Sequence, residues 1–338
     1  MKKYGVCKYY NIMGITCYIN SILHILQQIP CFVKYIINLS NLNSSHIVYE
    51  LNNIFIISHS NDDQIITLNN FKNKIGQINE LWNEFNHQDS QEFLNFLISQ
   101  IETEIGKKSK FLSNFKNITL TNVNDKKVIL DKLIGMHNYQ NYRINEYSFI
   151  KEIFFGLIKN IKYCSCCNSK TFNYESFNTL PLPLNNKVKN IYDCLNIFIM
   201  KEKLDEYNKL KYTFCGKTNN GFTESILWKS PKILIIHLKR FDIKLNKITT
   251  NIDYPIQNLD ISKYFDINSP YKHNSKYNLL GVNLHSGTTD FGHYTSIIKN
   301  MYNNNWYLYN DHNEVLLMNP NNLINENSYL LFYELEQP

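Results

Sequence analysis

Three places in this 338-residue chain hold residue types suited to nucleophilic catalysis. The first is Cys17, within Gly14-Ile15-Thr16-Cys17-Tyr18-Ile19-Asn20-Ser21. A cysteine that opens a helix feels the positive end of the helix dipole, which lowers its pKa and raises the thiolate fraction. Gly14 permits the turn that feeds such a helix. The second is His293, which follows the glycine-bearing stretch Gly287 to Gly292 and opens a strand-like run. A histidine so placed faces a cleft and can take the proton of a thiol on the opposite wall. The third is Asn310-Asp311, directly after Trp306-Tyr307-Leu308-Tyr309. A side-chain oxygen there can accept from the second imidazole nitrogen and fix the tautomer and ring orientation. Each has a plainer reading alone: Cys17 as a small buried apolar group, His293 as a structural strand residue, Asn310-Asp311 as a turn. Together they describe thiol-dependent acyl transfer.

The elements that must position them can be read from periodicity. Ile19, Ile22, Leu23 and Leu26 fall at helical spacing, so a helix is expected from Cys17 to Ile29, stopped by Pro30. A second helix is expected from Asp89, which can cap it, with Glu92 three residues on as in a capping box. Phe93, Leu94, Leu97, Ile98 and Ile101 supply its apolar face. The chain up to residue 150 reads as mainly helical. Beyond it come the strand-like runs Lys232 to Lys239, Tyr277 to His285, His293 to Lys299, Trp306 to Tyr309 and Tyr329 to Leu335, separated by Asn, Gly and Ser turns. Helices first and antiparallel strands after give an α+β class. Papain-like proteases share this plan, with the nucleophile on a helical half and the histidine on a sheet half. No repeat or Pro/Gly/Ser linker divides the chain, so residues 1–338 read as one catalytic domain.

Composition narrows the partners. The net charge is +6 with a pI near 8.7, and Lys and Arg are scattered rather than clustered, so no nucleic-acid partner is expected. No apolar run approaches the roughly 18 residues of a membrane span, so no membrane partner is expected. Eight cysteines at irregular spacing with no secretory leader before them suit free thiols in the cytoplasm or nucleus. A monomer is expected.

The segment around Cys17 resembles the cysteine box of the ubiquitin-specific proteases, N-x-G-x-T-C-Y-x-N-S. His87-Gln88-Asp89-Ser90-Gln91-Glu92-Phe93-Leu94 is similar to their Q-Q-D-x-Q-E-F-L segment. Glu175-Ser176-Phe177, leading into Leu180-Pro181-Leu182-Pro183-Leu184, resembles E-x-F-x-x-L-x-L-P-L. Leu234-Ile235-Ile236-His237-Leu238-Lys239-Arg240-Phe241 resembles L-I-I-H-L-K-R-F. The stretch from Tyr277 to Tyr294 resembles the histidine box that ends in G-H-Y. Trp306 to Asp311 and Tyr329-Leu330-Leu331-Phe332-Tyr333 complete the series, in family order and over nearly the whole chain.

The resemblance implies a papain-like fold with a helical thumb over residues 1–150, an inserted fingers subdomain over 155–230 and a palm built on an antiparallel sheet over 231–338. It implies a deubiquitinase that hydrolyses the bond after the C-terminal glycine of ubiquitin, with ubiquitin and ubiquitinated proteins as partners and no cofactor required for catalysis. Cys17 would be the nucleophile, His293 its base and later its acid, Asn310 the orienting residue and Asp311 an adjacent acidic aid. Asp89, Gln91, Glu92, His285 and Tyr294 map to the channel for the arginine-bearing ubiquitin tail, where carboxylates complement the arginines.

Two departures stand out. The family's oxyanion Asn lies five residues before the nucleophile, where this chain has Ile12; Asn11 is one residue further upstream. Either a local bulge brings Asn11 into place as the oxyanion donor or that donor is missing, with backbone N–H groups near Cys17 and Asn20 left to supply the hole. The family pattern also implies a structural zinc held by two C-x-x-C pairs. Cys164 and Cys167 match the first pair and Cys215 the last ligand, while Tyr212 falls at the remaining position, where tyrosine is not a usual zinc ligand. These departures favour one alternative, a catalytically impaired ubiquitin-binding pseudoenzyme; a protease for a ubiquitin-like modifier is a second, since several modifiers share an arginine-bearing tail.

Overall fold

The computed structural model describes residues 7–60, 64–84, 86–106, 133, 135, 137, 148–167, 169–207, 209–211, 215–288 and 291–336. After a short strand β1 (Lys8–Tyr9), helix α1 (Cys17–Leu26) starts at the nucleophile candidate, and all ten of its residues are buried. It ends three residues before the expected stop. Pro30 does end the helical pattern, but it also opens α2 (Pro30–Ile37) from the first-turn position. There its missing N–H costs nothing and its fixed φ suits a helix. Then follow α3 (Ile47–Ser60), β2 (Ile65–Ile66), which pairs with β1 in parallel, α4 (Asn69–Ile78) and α5 (Ser90–Ile105). Asp89 caps α5 as expected: its Oδ1 accepts from Gln91 N at 2.6 Å and Glu92 N at 3.1 Å. The bond that Glu92 would return in a full capping box is absent among the described residues.

The chain turns to strands after α6 (Phe149–Phe154). The first strands are β3 (Gly156–Tyr163), β4 (Lys170–Phe177) and β5 (Thr179–Pro183); α7 (Ile191–Phe198) follows. Next come β6 (Glu202–Lys203), β7 (Leu210–Lys211), β8 (Thr218–Asn219), β9 (Phe222–Lys229) and β10 (Ile233–Lys239). The last are β11 (Leu259–Asp260), β12 (Lys276–Gly287), β13 (Gly292–Lys299), β14 (Trp306–Tyr309), β15 (Leu316–Met318) and β16 (Ser328–Leu335). The large sheet runs β15-β14-β13-β12-β16-β10-β5, with β11 beside β12. A smaller sheet runs β4-β3-β9-β6, and β7 and β8 form a pair of their own.

The large sheet departs from the expected all-antiparallel palm in one place. β5 and β10 run parallel, with Ile235 opposite Thr179. A parallel neighbour needs a long crossover, and the segment between these strands carries α7, β6 to β8 and β9. Pro181 and Pro183 explain why β5 lies at the edge, since proline cannot donate to a second ladder.

β10 shows how the sheet divides the interior. Ile233 and Ile235 join the core that holds α1 and α5, whereas Leu234, Ile236 and Leu238 join the core that holds α7. The near-continuous apolar run of this strand follows from burial on both faces, with a side-chain period of two. One polar residue sits in that apolar setting at the point that matters for the site. Asn283 of β12 is buried; its Nδ2 donates to Ser21 Oγ of α1 and its Oδ1 accepts from Ser90 Oγ of α5, both at 2.9 Å. It ties the two helices that carry the cysteine and the channel acids to the sheet that carries the histidine. No helix among the described residues is long and apolar enough to cross a membrane.

Candidate active site

Cys17 is the first residue of α1, and Thr16 before it does not cap the helix with its side chain. Thr16 Oγ1 instead accepts from Ile12 N at 2.9 Å, and Thr16 N donates to Asn11 Oδ1 at 2.8 Å. The first-turn N–H groups of a helix have no intrahelical partner, so an uncapped start leaves backbone donors and the positive dipole end beside the thiol.

His293 lies at the start of β13, and α1 packs across that strand. Its Nε2 is 2.8 Å from Asn310 Oδ1 and 3.7 Å from Asp311 Oδ2. Asn310 accepts through its oxygen, so Nε2 carries the hydrogen and Nδ1 is left for the thiol. The hydrogen bond with Cys17 is the main reason that His293 is raised from its ordinary value to about 9; burial works against this, and Asn310, the thiolate charge and Asp311 add to it. Asp311 is pushed up by burial and held back by hydrogen bonds from Asn20 and Asn11 and by the charge of His293. The structure therefore brings together Cys17, His293, Asn310 and Asp311, which lie up to 294 residues apart in sequence.

Asn11 and Asn20 join the same cluster through Asp311. Asn11 Nδ2 donates to Asp311 Oδ2 at 2.8 Å, and Asn20 Nδ2 donates to Asp311 Oδ1 at 2.7 Å. The side chain of Ile12 packs against the helical core instead.

A cavity of about 290 Å³ opens beside the histidine, lined by Asp89, Glu92, His285, Gly292 and Tyr294 among others. Gln91 is not in its wall; it contributes its backbone N–H to the α5 cap. Glu92 is exposed and its carboxylate faces solvent. Asp89 is more heavily engaged. Its Oδ1 serves the helix, while its Oδ2 accepts from Tyr329 at 2.5 Å and from Tyr294 at 3.4 Å. Burial, with Lys247 nearby, lowers His285 to about 4, so its ring is neutral near pH 7. Gly292 is required by closeness: a Cβ there would overlap His285 Nε2. His87, Gln88, Phe241 and Leu245 also line the cavity and were not singled out from sequence. The His87-Gln88 pair stands in the quoted motif and could have been found there. Lys247, whose Nζ donates to His285 O at 2.6 Å, gives no sequence signal.

The remaining candidates cluster elsewhere. The sulfurs of Cys164, Cys167 and Cys215 all lie within 4.8 Å of one another, so this set can hold a metal ion. Cys164 Sγ lies 3.6 Å from Cys215 Sγ and accepts from Asn219 Nδ2 at 3.2 Å. Burial opposes ionisation of Cys164, but donors from Asn219 and the backbone of Cys166 and Cys167 outweigh it and bring the thiol down to about 6. Cys166 is exposed. Tyr212, the expected fourth position, lies outside the described residues.

A family model for ubiquitin carboxyl-terminal hydrolase matches residues 8–333. The chain belongs to that family. Ubiquitin carboxyl-terminal hydrolase 2 of Homo sapiens is 28% identical over 342 residues, covering 96% of this chain and 54% of that protein. The Gallus gallus protein of the same name is 30% identical over 289 residues, covering 82% of this chain and 77% of that protein. The chain thus spans about half the length of the mammalian relatives it matches. A solved structure of the SAGA Ubp8/Sgf11/Sus1/Sgf73 DUB module bound to ubiquitin aldehyde has the same fold, at a TM-score of 0.75 and 24% identity over 99% of this chain and 70% of the solved one. The mixed helix-and-sheet build agrees with that membership.

Proposed function

We propose that this chain is a thiol-dependent deubiquitinase that cleaves after the C-terminal glycine of ubiquitin. The observation that carries the reading is the set Cys17, His293 and Asn310, with His293 Nε2 on Asn310 Oδ1 and the thiol acting on the imidazole, beside a cavity lined by Glu92, Asp89, His285 and the Gly292 that precedes the histidine. Cys17 gives its proton to His293, its sulfur attacks the glycine carbonyl, and the carbonyl electron pair moves to oxygen. Backbone N–H groups at the uncapped start of α1 face that oxyanion. As the tetrahedral species collapses, the C–N bond breaks and His293 gives its proton to the leaving amine, leaving a thioester. Water then attacks the thioester while His293 takes a water proton, the C–S bond breaks as the tetrahedral species collapses, His293 returns the proton to sulfur, and the carboxylate product leaves. Asn310 holds the imidazole in the tautomer these steps need. Exposed Glu92 is the main acid for the tail arginines, with Asp89 held in place behind it. Gly292 keeps the last part of the channel narrow, which favours a glycine-ended tail.

The thumb, fingers and palm over 1–150, 155–230 and 231–338 are our proposed division; the small sheet within residues 156–229 supports the second of these. For Cys164, Cys167 and Cys215 we infer a structural zinc, which three clustered thiolates suit and a fourth ligand would complete. A thiol that must stay reduced to react points to the cytoplasm or nucleus.

The test is labelling by ubiquitin that carries a C-terminal thiol-reactive electrophile, beside a Cys17→Ala control and a matched ubiquitin-like probe. An adduct with ubiquitin that is lost in the control supports the reading. Binding without an adduct favours the impaired pseudoenzyme, to which Ile12 gives some support, and labelling only by the other probe changes the substrate.

A further inference from the structure

We infer that Asn11 and Asn20 are positioning residues that clamp the Asp311 carboxylate, one on each oxygen, against His293. This rests on the hydrolase reading above and departs from the oxyanion role expected for either residue.

The geometry is specific. Asp311 is 5% exposed, and its oxygens receive Asn11 Nδ2 at 2.8 Å and Asn20 Nδ2 at 2.7 Å. The oxygen held by Asn11 is the one 3.7 Å from His293 Nε2. Asp311 sits at φ 53°, a left-handed conformation that costs a non-glycine residue energy. Chemistry also fixes the orientation of the Asn20 amide, because its nitrogen faces three oxygens, those of Tyr9, Tyr10 and Asp311, and an oxygen turned there would be repelled. Its own buried Oδ1 is left without a partner, a cost the molecule bears to keep the nitrogen on Asp311.

The loop before the nucleophile explains Asn11. Two residues, Ile12 and Met13, separate it from Gly14, one more than the family pattern has. The extra length is taken up at Met13 and Gly14, with φ 52° and 77°. The Asn11 carboxamide then has its oxygen on Thr16 N and its nitrogen on Asp311, so both ends are engaged within the protein. A buried carboxylate without donors takes up a proton or turns away. Two amides keep Asp311 charged and aimed, while Asn310 provides the neutral hydrogen bond.

The test is a set of double-mutant cycles with Asp311→Ala. Asn11→Ala and Asn20→Ala should each lower kcat/KM about tenfold through kcat, and neither should lower it further when Asp311 is alanine. Each single variant weakens the support of the His293 imidazolium and should also move the rising limb of Cys17 alkylation by iodoacetamide to higher pH. That limb is read against the other ionisable groups facing the pair: Asp311 and His312 after β14, and His285 on β12. A loss of about 10²–10³ on adding Asn11→Ala to Asp311→Ala would assign it to the oxyanion and overturn the clamp. An unmoved limb would overturn it too. If Asn20→Ala melts below the assay temperature, Asn11→Ala, on a partly exposed loop, carries the test. Alkylation needs no ubiquitin, so a wild-type chain that alkylates normally but ignores the ubiquitin probe sinks the function and leaves the clamp to be judged.

Discussion

The cleft around Cys17 and the thiol cluster at Cys164 are built in opposite ways. In the cleft, the nucleophile heads a wholly buried helix, the histidine lies in a central strand, and neighbouring polar groups hold both. The cluster sits at the end of β3 and ahead of two-residue strands, beside the largely exposed β4. Its sulfurs rely on one another and on Asn219. Where the scaffold is dense, one extra loop residue is absorbed and the residues proposed for catalysis stay together. Where the scaffold is thin, the ligands themselves must hold the structure together, and a bound metal ion would supply that stability. Changes in the cleft should therefore appear in rate, and changes in the cluster in stability.

The largest expected effect is that of His293→Ala, which should lower kcat/KM on a ubiquitin amide about 10⁴-fold, with the melting temperature nearly unchanged only above about pH 9. Gly292→Ala follows. The new Cβ must displace His285, and a shift of about an ångström beside the reacting groups should cost about 10² in kcat/KM, read by steady-state kinetics. Glu92→Gln should raise KM about fivefold and leave kcat alone, since an exposed charge pair with an arginine is worth about 1 kcal/mol. For Cys215→Ser, kcat should stay within about twofold while cobalt or zinc uptake and the melting temperature fall. A loss of kcat with melting unchanged would break the comparison.

A pH profile sharpens it. His293 is raised above its ordinary value of 6.5 to about 9, chiefly by its hydrogen bond with Cys17. A group raised on folding is favoured in its protonated form, so the stability it contributes is fully present below pH 6.5 and lost as pH rises through about 9. Activity should fall along the same limb. In Cys17→Ala the His293 titration, followed by NMR, should move down in pH.

Much of the cleft was legible because its residues come in contiguous motifs. Cys17, His293 and Asn310 each lie in a run whose neighbours fix the element: apolar spacing for α1, alternation for β13, and the Trp306–Tyr309 strand before the turn. The cluster was also legible in part, because Cys215, matched to the last ligand of the family pattern, does reach Cys164 and Cys167. Other features depended on tertiary contacts that no local pattern encodes. Asn283 is one of several polar residues in its strand, and only the assembled sheet reveals its two partners. The parallel partner of β10 is set by where a long crossover returns. The role of Asn11 depends on the hand of two backbone angles. Gln91 was carried over with its motif, yet helix phase turns it away from the cavity.

Asn283 also governs how the molecule can move. Prising α1 and α5 off β12 would break two buried hydrogen bonds together, with no water at hand to replace them. The seam is therefore costly to open. The turn between Phe241 and Lys247 places exposed Leu245 in the cavity wall, and it would be the cheaper part to move. Substrate entry and product release would then keep time with a surface turn, and the distance from sulfur to imidazole would stay constant throughout.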